Sequence, residues 1–155
     1  MATTQGSSTN QGGVTLNFTV EGDVQLSRRL RIVSDKVKDF SNEFKKTGDF
    51  LTSYSNQDVF SSKGAVLGGT WPPRKNEENY TWPILEKTGK MRAGFKSEPS
   101  AMQVIVYNVM DYFKYHQSKL PRTRLPRRIM FKLNDYLKTR IVKIFHDAIY
   151  QASQQ

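Results

Sequence analysis

The chain has 155 residues, with 24 Lys or Arg against 14 Asp or Glu for a net charge of +10, and it contains no cysteine. Disulfides and thiolate metal sites are therefore excluded, and no run of residues approaches the roughly 18 apolar positions of a membrane helix. A chain of this length fits one domain with its own core, and we expect a soluble protein made in the cell interior, with no membrane partner.

The positive charge is concentrated late in the chain. From Lys114 to Lys143 there are ten Lys or Arg against one acid, Asp135, which gives a net charge of +9. Such a cluster favours a polyanionic neighbour, either nucleic acid or an acidic protein surface. Composition alone leaves both partners open.

The first predicted elements are an arm and a strand. Residues 1 to 13, MATTQGSSTNQGG, hold almost no apolar side chains, so we expect a flexible arm in front of a single domain over residues 14 to 155. The segment VTLNFTV at residues 14 to 20 alternates apolar with polar residues. This period of two predicts a half-buried strand that ends at Gly22.

A long N-terminal helix is predicted next, from an N-cap at Asp23 to a stop at Gly48, over about 22 residues. Its apolar stripe recurs at spacings of four and three: Leu26, Leu30, Val33, Val37, Phe40 and Phe44. The stripe spans fewer than three heptads, so packing on the domain's own sheet is favoured over a coiled-coil seam. Residues 49 to 60 favour a second, short helix.

Residues 61 to 82 have several Gly and Pro and no steady period, which predicts a long loop. Both tryptophans, Trp71 and Trp82, lie in this loop, and each precedes a proline. An indole is a common interface anchor, and proline lowers the entropy lost on docking. The indoles either cap the edge of the monomer's core or grip a neighbouring subunit. In the second case, replacing them by Ala would leave a folded protomer that assembles poorly.

The turn after the loop resembles a phosphate-binding loop only in Thr88, Gly89 and Lys90. The Walker pattern needs an earlier glycine and a hydroxyl residue at the position of Met91. We therefore exclude a nucleotide site and expect Gly89 to adopt a positive φ in a turn.

Two strands and a helix are predicted in the remainder. The run MQVIVYNV at residues 102 to 109 predicts a central strand buried on both faces, and Ile129, Phe131 and Leu133 predict a last short strand. Between them, Pro121 and Pro126 hold an extended, arginine-rich connector.

A C-terminal helix follows the expected N-cap Asn134. Its apolar face is predicted to contain Leu133, Leu137, Ile141, Ile144 and Ala148. The elements together predict an α+β fold: a small mixed sheet packed by a long N-terminal helix and a C-terminal helix, with a long extended loop or hairpin.

The sequence favours no enzyme. His116 and His146 are the only histidines, and no carboxylate pair stands near either at metal-ligand spacing. His116, beside Tyr112 and Tyr115, is expected to be a hydrogen-bonded structural residue. We expect no catalytic residue, no metal and no cofactor.

Four short motifs occur in a defined order between residues 60 and 150. They are Trp71-Pro72-Pro73, then Leu85 with Thr88-Gly89-Lys90-Met91-Arg92, then Tyr112 with His116-Gln117, then Leu125-Pro126-Arg127 with Phe131. This order resembles the virion morphogenesis or tail completion proteins of long-tailed phages. Arg74, Ser118 and Arg128 depart from that family's pattern, where Leu, Gly and Pro are usual.

The resemblance implies a virion protein of the phage neck that is assembled in the host cytoplasm. It would form a homo-oligomeric ring, of six subunits by this resemblance, that ends the tail tube or joins it to the head connector, with DNA passing through the lumen. Its partners would be the neighbouring head connector and tail tube proteins. The expected subunit interface contains Trp71, Pro72, Pro73, Trp82, Leu85, Met91 and Arg92.

The basic segment would face DNA in the lumen or an acidic surface of the adjoining protein, and the second is favoured because tight phosphate contacts would impede ejection. Its expected contact residues are Arg122, Arg124, Arg127, Arg128, Lys132, Lys138 and Arg140. The alternative function is a basic nucleic-acid-binding regulator that uses the same arginines, although the chain has no helix-turn-helix spacing and no zinc pattern.

Overall fold

The computed structural model describes residues 23–119 and 125–155. The helices are α1 (Asp23–Lys38), α2 (Ser41–Tyr54), α3 (Lys90–Ala93), α4 (Phe113–Gln117) and α5 (Asp135–Ser153), and the strands are β1 (Phe95–Pro99) and β2 (Val104–Asn108). The predicted arm over residues 1 to 13, the predicted strand over residues 14 to 20, and Arg122 and Arg124 lie outside the described residues.

The predicted N-terminal helix is interrupted. α1 ends at Lys38 and α2 begins at Ser41, because Phe40 takes a non-helical conformation (φ −107°, ψ 21°) and the Ser41 N–H donates to the Asp39 carboxylate at 2.8 Å. An Asp side chain that bonds the backbone two residues on competes with the helix. The prediction of one continuous helix up to Gly48 is therefore wrong. Residues 49 to 60 are helical as predicted, but they continue α2 into a π-helical turn, Ser55–Val59, and do not form a separate short helix.

The central helix is α2, which contacts both strands of the sheet and α5. Gly48 lies within α2 on the sheet side: a Cβ there would come within 2.7 Å of the Ser97 Cβ and 3.0 Å of the Val104 Cγ2. Because only glycine lacks that atom, it allows the helix to approach the strands this closely. Gly48 is thus a packing contact and not the end of a helix.

The described sheet has two antiparallel strands, with Phe95 opposite Asn108. The predicted strand over residues 102 to 109 is confirmed as β2. Its predicted burial on both faces is wrong, because alternate residues, Ile105 and Tyr107, are exposed, and within residues 23–119 and 125–155 β2 pairs with β1 alone. One face of the sheet packs on α2, and the other face carries these exposed side chains.

No strand forms over Ile129, Phe131 and Leu133, where a last strand was predicted. The backbone N–H groups of Met130 and Phe131 donate instead to the side-chain Oε1 of Gln117, at 2.9 and 3.2 Å. A side-chain amide therefore satisfies donors that a ladder would otherwise pair.

The C-terminal helix α5 begins as predicted. Asn134 caps it, with its Oδ1 accepting from the Leu137 N–H at 2.9 Å. Phe145 on α5 packs edge-on against Phe40 and Phe44, with ring centroids 5.2 and 4.9 Å apart. α1 also packs on α5. The expectation that the stripe of α1 covers the sheet is therefore wrong, since α2 takes that place.

The fold is α+β, as predicted, with its core between α2, the inner face of the sheet and several irregular segments. The buried cluster contains Leu51, Tyr54, Val59, Phe60, Leu67, Trp71, Ile84, Met91, Phe95, Met130 and Leu137. Three of these side chains, Trp71, Ile84 and Met130, come from segments outside the helices and strands, so the irregular chain is a structural part of the core. No helix within residues 23–119 and 125–155 combines the length and the apolar character needed to span a bilayer.

Candidate assembly surface

The first tryptophan of the loop belongs to the core of its own chain. The Trp71 side chain is only 4% exposed, and its ring packs edge-on against Phe60 at 5.1 Å. Its Nε1–H donates to the Ile129 carbonyl at 2.7 Å, and its backbone N–H donates to the Lys63 carbonyl at 2.7 Å. Gly64 lies beneath the indole with φ 85°, where a Cβ would clash with the ring. Trp71 therefore has almost no surface left for a neighbouring subunit.

The two prolines that follow are tied to the basic segment by Arg128. The guanidinium donates through Nε to the Pro72 carbonyl at 3.0 Å and through Nη2 to the Pro73 carbonyl at 3.3 Å. Arg128 is 4% exposed, and burial lowers the pKa of its guanidinium, as does the nearby charge of Arg74. The prediction that Arg128 faces DNA or an acidic partner is corrected, because its side chain points into its own chain.

The third motif, His116-Gln117, holds the same segment from the other side. The His116 carbonyl accepts from the Arg128 N–H at 3.0 Å, and the Gln117 Nε2 donates to the Phe131 carbonyl. The His116 ring is buried; this desolvation and the charge of Arg128 lower its pKa, which a hydrogen bond to the Pro126 backbone partly offsets. His116 thus has the predicted structural surroundings, with a hydrogen bond to the Pro126 backbone, whereas its buried Nδ1 has no partner among the described residues.

The second motif also points inward. Gly89 has φ 68°, as predicted for a turn, and is followed by α3. Met91 is buried in the core, and its carbonyl accepts from the Asn108 side chain at 2.8 Å. Arg92 lies half-buried, with Nη1 3.0 Å from the Glu86 carboxylate and Nε donating to the Asn56 carbonyl. Met91 is therefore a core residue, which corrects its predicted place at a subunit interface.

The motif segments, separated along the chain, meet in the fold. We call the contact between the first, third and fourth motif segments the motif junction: Trp71 to Pro73, His116 and Gln117, and Arg128 to Phe131. The bond from Trp71 to Ile129 joins residues 58 positions apart, and those from Arg128 to the two prolines join residues 56 and 55 positions apart. These long-range bonds hold the irregular part of the core together, and they run to Ile129 and Arg128, which stand beside the motif residues in the chain.

Some of the predicted interface residues remain at the surface. Pro72 and Pro73 are exposed, and Trp82 is half-buried. Its ring meets Tyr80 edge-on at 5.4 Å, and the Lys87 Nζ lies 5.1 Å from the ring centre. Leu85, half-buried with φ 65°, packs on the core. Of the predicted interface residues, Trp82, Pro72 and Pro73 therefore remain accessible to a neighbouring molecule.

The loop around Trp82 is held by an ion pair. Arg74 donates to the Glu77 carboxylate through Nε at 3.1 Å and Nη2 at 2.8 Å, and its guanidinium lies 4.3 Å from the centre of the Tyr80 ring. These bonds lower the pKa of Glu77 to about 2. Arg74 Nη2 also donates to the Trp82 carbonyl. Arg74, which stands where the resembled family usually has a Leu, thus holds the loop around Trp82.

Four of the residues predicted for the basic surface are at the surface. Arg127, Lys132, Lys138 and Arg140 are exposed. On α5, however, part of the charge is paired: Lys138 lies 3.2 Å from Asp135, and Lys143 lies 3.0 Å from Asp147. Exposed pairs of this kind are screened and contribute little to stability. Of the four exposed residues, Arg127, Lys132 and Arg140 therefore form no ion pair with a carboxylate among the described residues.

Two apolar surfaces were missed by the sequence analysis. The first, the α1 ridge, comprises Leu26, Leu30 and Val37, which are 59%, 61% and 45% exposed. The second, the outer row, comprises Ile105, Tyr107 and Val109 on the open face of the sheet. The apolar stripe of α1 was visible in the sequence, but only the tertiary structure decides that neither the sheet nor α5 covers these three side chains.

Comparison with known protein families, with curated proteins and with solved structures found no match for this chain. Among the described residues, no group of three or more His, Asp or Glu is placed to hold a metal ion.

Proposed function

We propose that this protein is a structural subunit of the neck of a long-tailed phage, where copies assemble into a ring that ends the tail tube or joins it to the head connector. The ordered motifs support this proposal through the motif junction. The first, third and fourth motif segments bond to one another, as Trp71 bonds to Ile129 and Arg128 to Pro72.

The exposed surfaces support an assembling protein. Large exposed apolar side chains, rimmed by polar residues, are typical of protein interaction sites. The α1 ridge and the outer row are such surfaces, and they lie on different elements. A subunit that carries two different apolar surfaces can bind its neighbours head to tail, which is the arrangement that closes rings.

The proposal is tested by the assembly state of the full chain. We expect native mass spectrometry to give one dominant oligomer, and negative-stain electron microscopy to show a closed ring with a central hole. A monomer or dimer that binds duplex DNA tightly would contradict the neck proposal and favour the nucleic-acid-binding regulator.

The second test concerns the partner. If the ring ends a tail tube, it should bind the end of purified tubes from the same virion, seen as a terminal density in negative stain. Ring formation without binding to tubes or to the head connector would leave an assembling protein with a role outside the neck.

A further inference from the structure

The two edges of the described sheet differ in how they are protected. β1, with the sequence FKSEP, carries Lys96 and Glu98 and ends in Pro99. Charges and prolines are common on the edge strands of natural sheets, because they hinder pairing with a further strand. Residues 102 to 110, MQVIVYNVM, contain β2 and have neither a charged residue nor a proline. The edge of β2 therefore lacks the features that keep a strand unpaired.

The hydrogen bonds that flank the two strands fix the phase of their ladder. The Val109 N–H donates to the Gly94 carbonyl at 3.0 Å, and the Ser100 N–H donates to the Gln103 carbonyl at 2.8 Å. Both pairs continue the register of β1 and β2. Bonded and non-bonded pairs alternate along an antiparallel ladder. The odd-numbered residues of β2 therefore bond to β1, and its even-numbered residues do not.

The even-numbered residues of β2 form what we call the free edge: Val104, Val106 and Asn108. Their backbone N–H and C=O groups point away from β1 and have no hydrogen-bond partner in the described part of the chain. All three residues are only half-buried. Unpaired backbone groups along an uncharged, β-branched run are a template for an added strand.

The sequence offers one segment outside the described residues that fits this edge. Residues 14 to 20, VTLNFTV, alternate apolar with polar residues, carry no charge and include four β-branched residues. By contrast, residues 1 to 13 hold almost no apolar side chains, and residues 120 to 124, LPRTR, carry a proline and two arginines. Residues 14 to 20 therefore combine the length, the alternation and the neutrality that the free edge requires.

The segment is long enough to return to the sheet of its own copy. Phe40, just before α2, donates its N–H to the Ala101 carbonyl, in the turn between β1 and β2, at 3.0 Å. α1 has 16 residues and is therefore about 24 Å long. Residues 14 to 22 span up to about 30 Å when extended, so they can run back over the whole length of α1. A segment tethered in this way has an effective concentration on the order of millimolar at its own edge, which favours it over a neighbouring copy.

We propose that residues 14 to 20 add to the free edge of β2 in their own copy, as a third strand of the sheet. The backbone groups of Val104, Val106 and Asn108 then have partners, and the edge is closed to strands of other molecules. The inference goes beyond the proposed function, since it concerns the completion of the sheet within one chain and does not depend on ring formation.

Hydrogen exchange of single backbone amides in the full chain, followed by NMR, tests the pairing. We expect the amides of Val104, Val106 and Asn108 to exchange at least about 100-fold more slowly than exposed amides, because each is bonded within the sheet. The amides of Ile105 and Tyr107, which bond to β1, are the internal control. If these two were protected while the three amides of the free edge exchanged like exposed ones, the proposal would be overturned.

Two proline variants identify the segment that protects the free edge. Neighbouring residues of a strand point their N–H groups to opposite sides, so only one of Asn17→Pro and Phe18→Pro removes a bond to β2. We expect that variant to restore fast exchange at the three amides, and the other, as its matched control, to leave their exchange nearly unchanged. Slow exchange that persists in both variants would contradict the proposal.

Introduced cysteines show which copy supplies the strand. The chain has no cysteine of its own, so Asn17→Cys can be combined in turn with Ile105→Cys, Val106→Cys and Tyr107→Cys, which cover both faces of β2 and adjacent registers. We expect at least one pair to form a disulfide within a single chain, seen as a monomer of altered mobility on a non-reducing gel. A dimer linked by the same pair would place the strand on a neighbouring copy and overturn the proposal. A disulfide-linked dimer of the single variant Val106→Cys would show that β2 of a second copy occupies the edge, and would also overturn it.

Discussion

Trp71 and Trp82 each precede a proline in the same loop, yet their environments differ. Trp71 is buried with a hydrogen bond to a carbonyl 58 residues away, whereas Trp82 lies half-buried on Tyr80 and Lys87. Sequence reasoning treated them as equivalent, because local chemistry is similar at both positions. At the scale of single residues, the difference depends on long-range contacts that no local pattern contains.

The first prediction concerns Trp71. Trp71→Ala removes a buried indole and leaves a cavity beside Phe60, so we expect a loss of about 3–5 kcal/mol in the free energy of unfolding. This replaces the expectation that the variant stays folded and only assembles poorly. Urea unfolding followed by circular dichroism measures the loss.

Trp82→Ala is the matched control for that measurement. Removing its half-buried ring should lower the free energy of unfolding by about 1 kcal/mol or less, because much of the ring already faces water. Equal losses in free energy for the two variants would contradict the assignment of Trp71 alone to the core.

The second prediction concerns His116 and pH. Its pKa in the folded state lies below the ordinary value of 6.5, because burial and Arg128 disfavour the charged ring. As the pH falls through 6.5, the unfolded state therefore takes up a proton that the folded state does not. Above pH 6.5 the contribution of His116 leaves the free energy of unfolding at its maximum. As the pH falls from 6.5 to the lowered pKa, the free energy of unfolding should decrease.

Urea midpoints compared at about pH 7.5 and about pH 5.5 test this window, which lies above the ordinary pKa values of carboxyl groups. His116→Gln should flatten the change, although it also alters stability at the higher pH. His146→Gln is the control: its side chain is exposed, and the change with pH should remain. If His146→Gln flattened the profile and His116→Gln did not, the assignment would be wrong.

At the scale of elements, α2 organises the molecule, since it contacts both the sheet and α5. At Gly48 the helix lies so close to β1 that a Cβ would meet Ser97. In the sequence a glycine after a long apolar stripe predicts a helix end, and the close approach of a strand is not visible. The strand concerned, FKSEP, carries charges and a proline and was itself not predicted.

The third prediction follows from this contact. Gly48→Ala gains about 1 kcal/mol of helix propensity but places a methyl group 2.7 Å from the Ser97 Cβ, so we expect a net loss of about 1–3 kcal/mol in the free energy of unfolding. Gly69→Ala is the matched control, because a Cβ there meets nothing within 4 Å. A stabilised Gly48→Ala variant would show that α2 and β1 pack less closely than described.

At the scale of the whole molecule, the positive charge is divided between inward and outward side chains. Arg128 is used inside the fold, whereas Arg127 and Lys132 face outward. A cluster of cations in a sequence does not reveal this division, because neighbouring residues of an extended segment point in different directions.

The fourth prediction concerns binding to duplex DNA across salt. If the basic surface contacts phosphates, replacing Arg127 and Lys132 together by Gln should lower the slope of log affinity against log salt by about 2. Arg128→Lys should leave that slope unchanged and instead reduce stability, since an ammonium does not span the carbonyls of Pro72 and Pro73 as the guanidinium does. Absence of DNA binding even at low salt would exclude the lumen contact and leave an acidic protein surface as the partner.

The sequence by itself determined the features that depend on neighbouring residues. These are the α+β class, the strand at β2, the turn at Gly89 and the cap of α5 at Asn134. Each follows from a local rule, since alternation, positive φ and capping are decided within a few residues of the chain.

The tertiary structure alone decided the rest. It left the ridge of α1 exposed, turned Arg128 inward and buried Trp71 but not Trp82. These outcomes depend on which distant segments supply apolar cover and hydrogen-bond partners, as Ile129 does for Trp71 and the carbonyls of Pro72 and Pro73 do for Arg128. Such partners lie more than 50 residues apart, where the periodicity of a sequence carries no information.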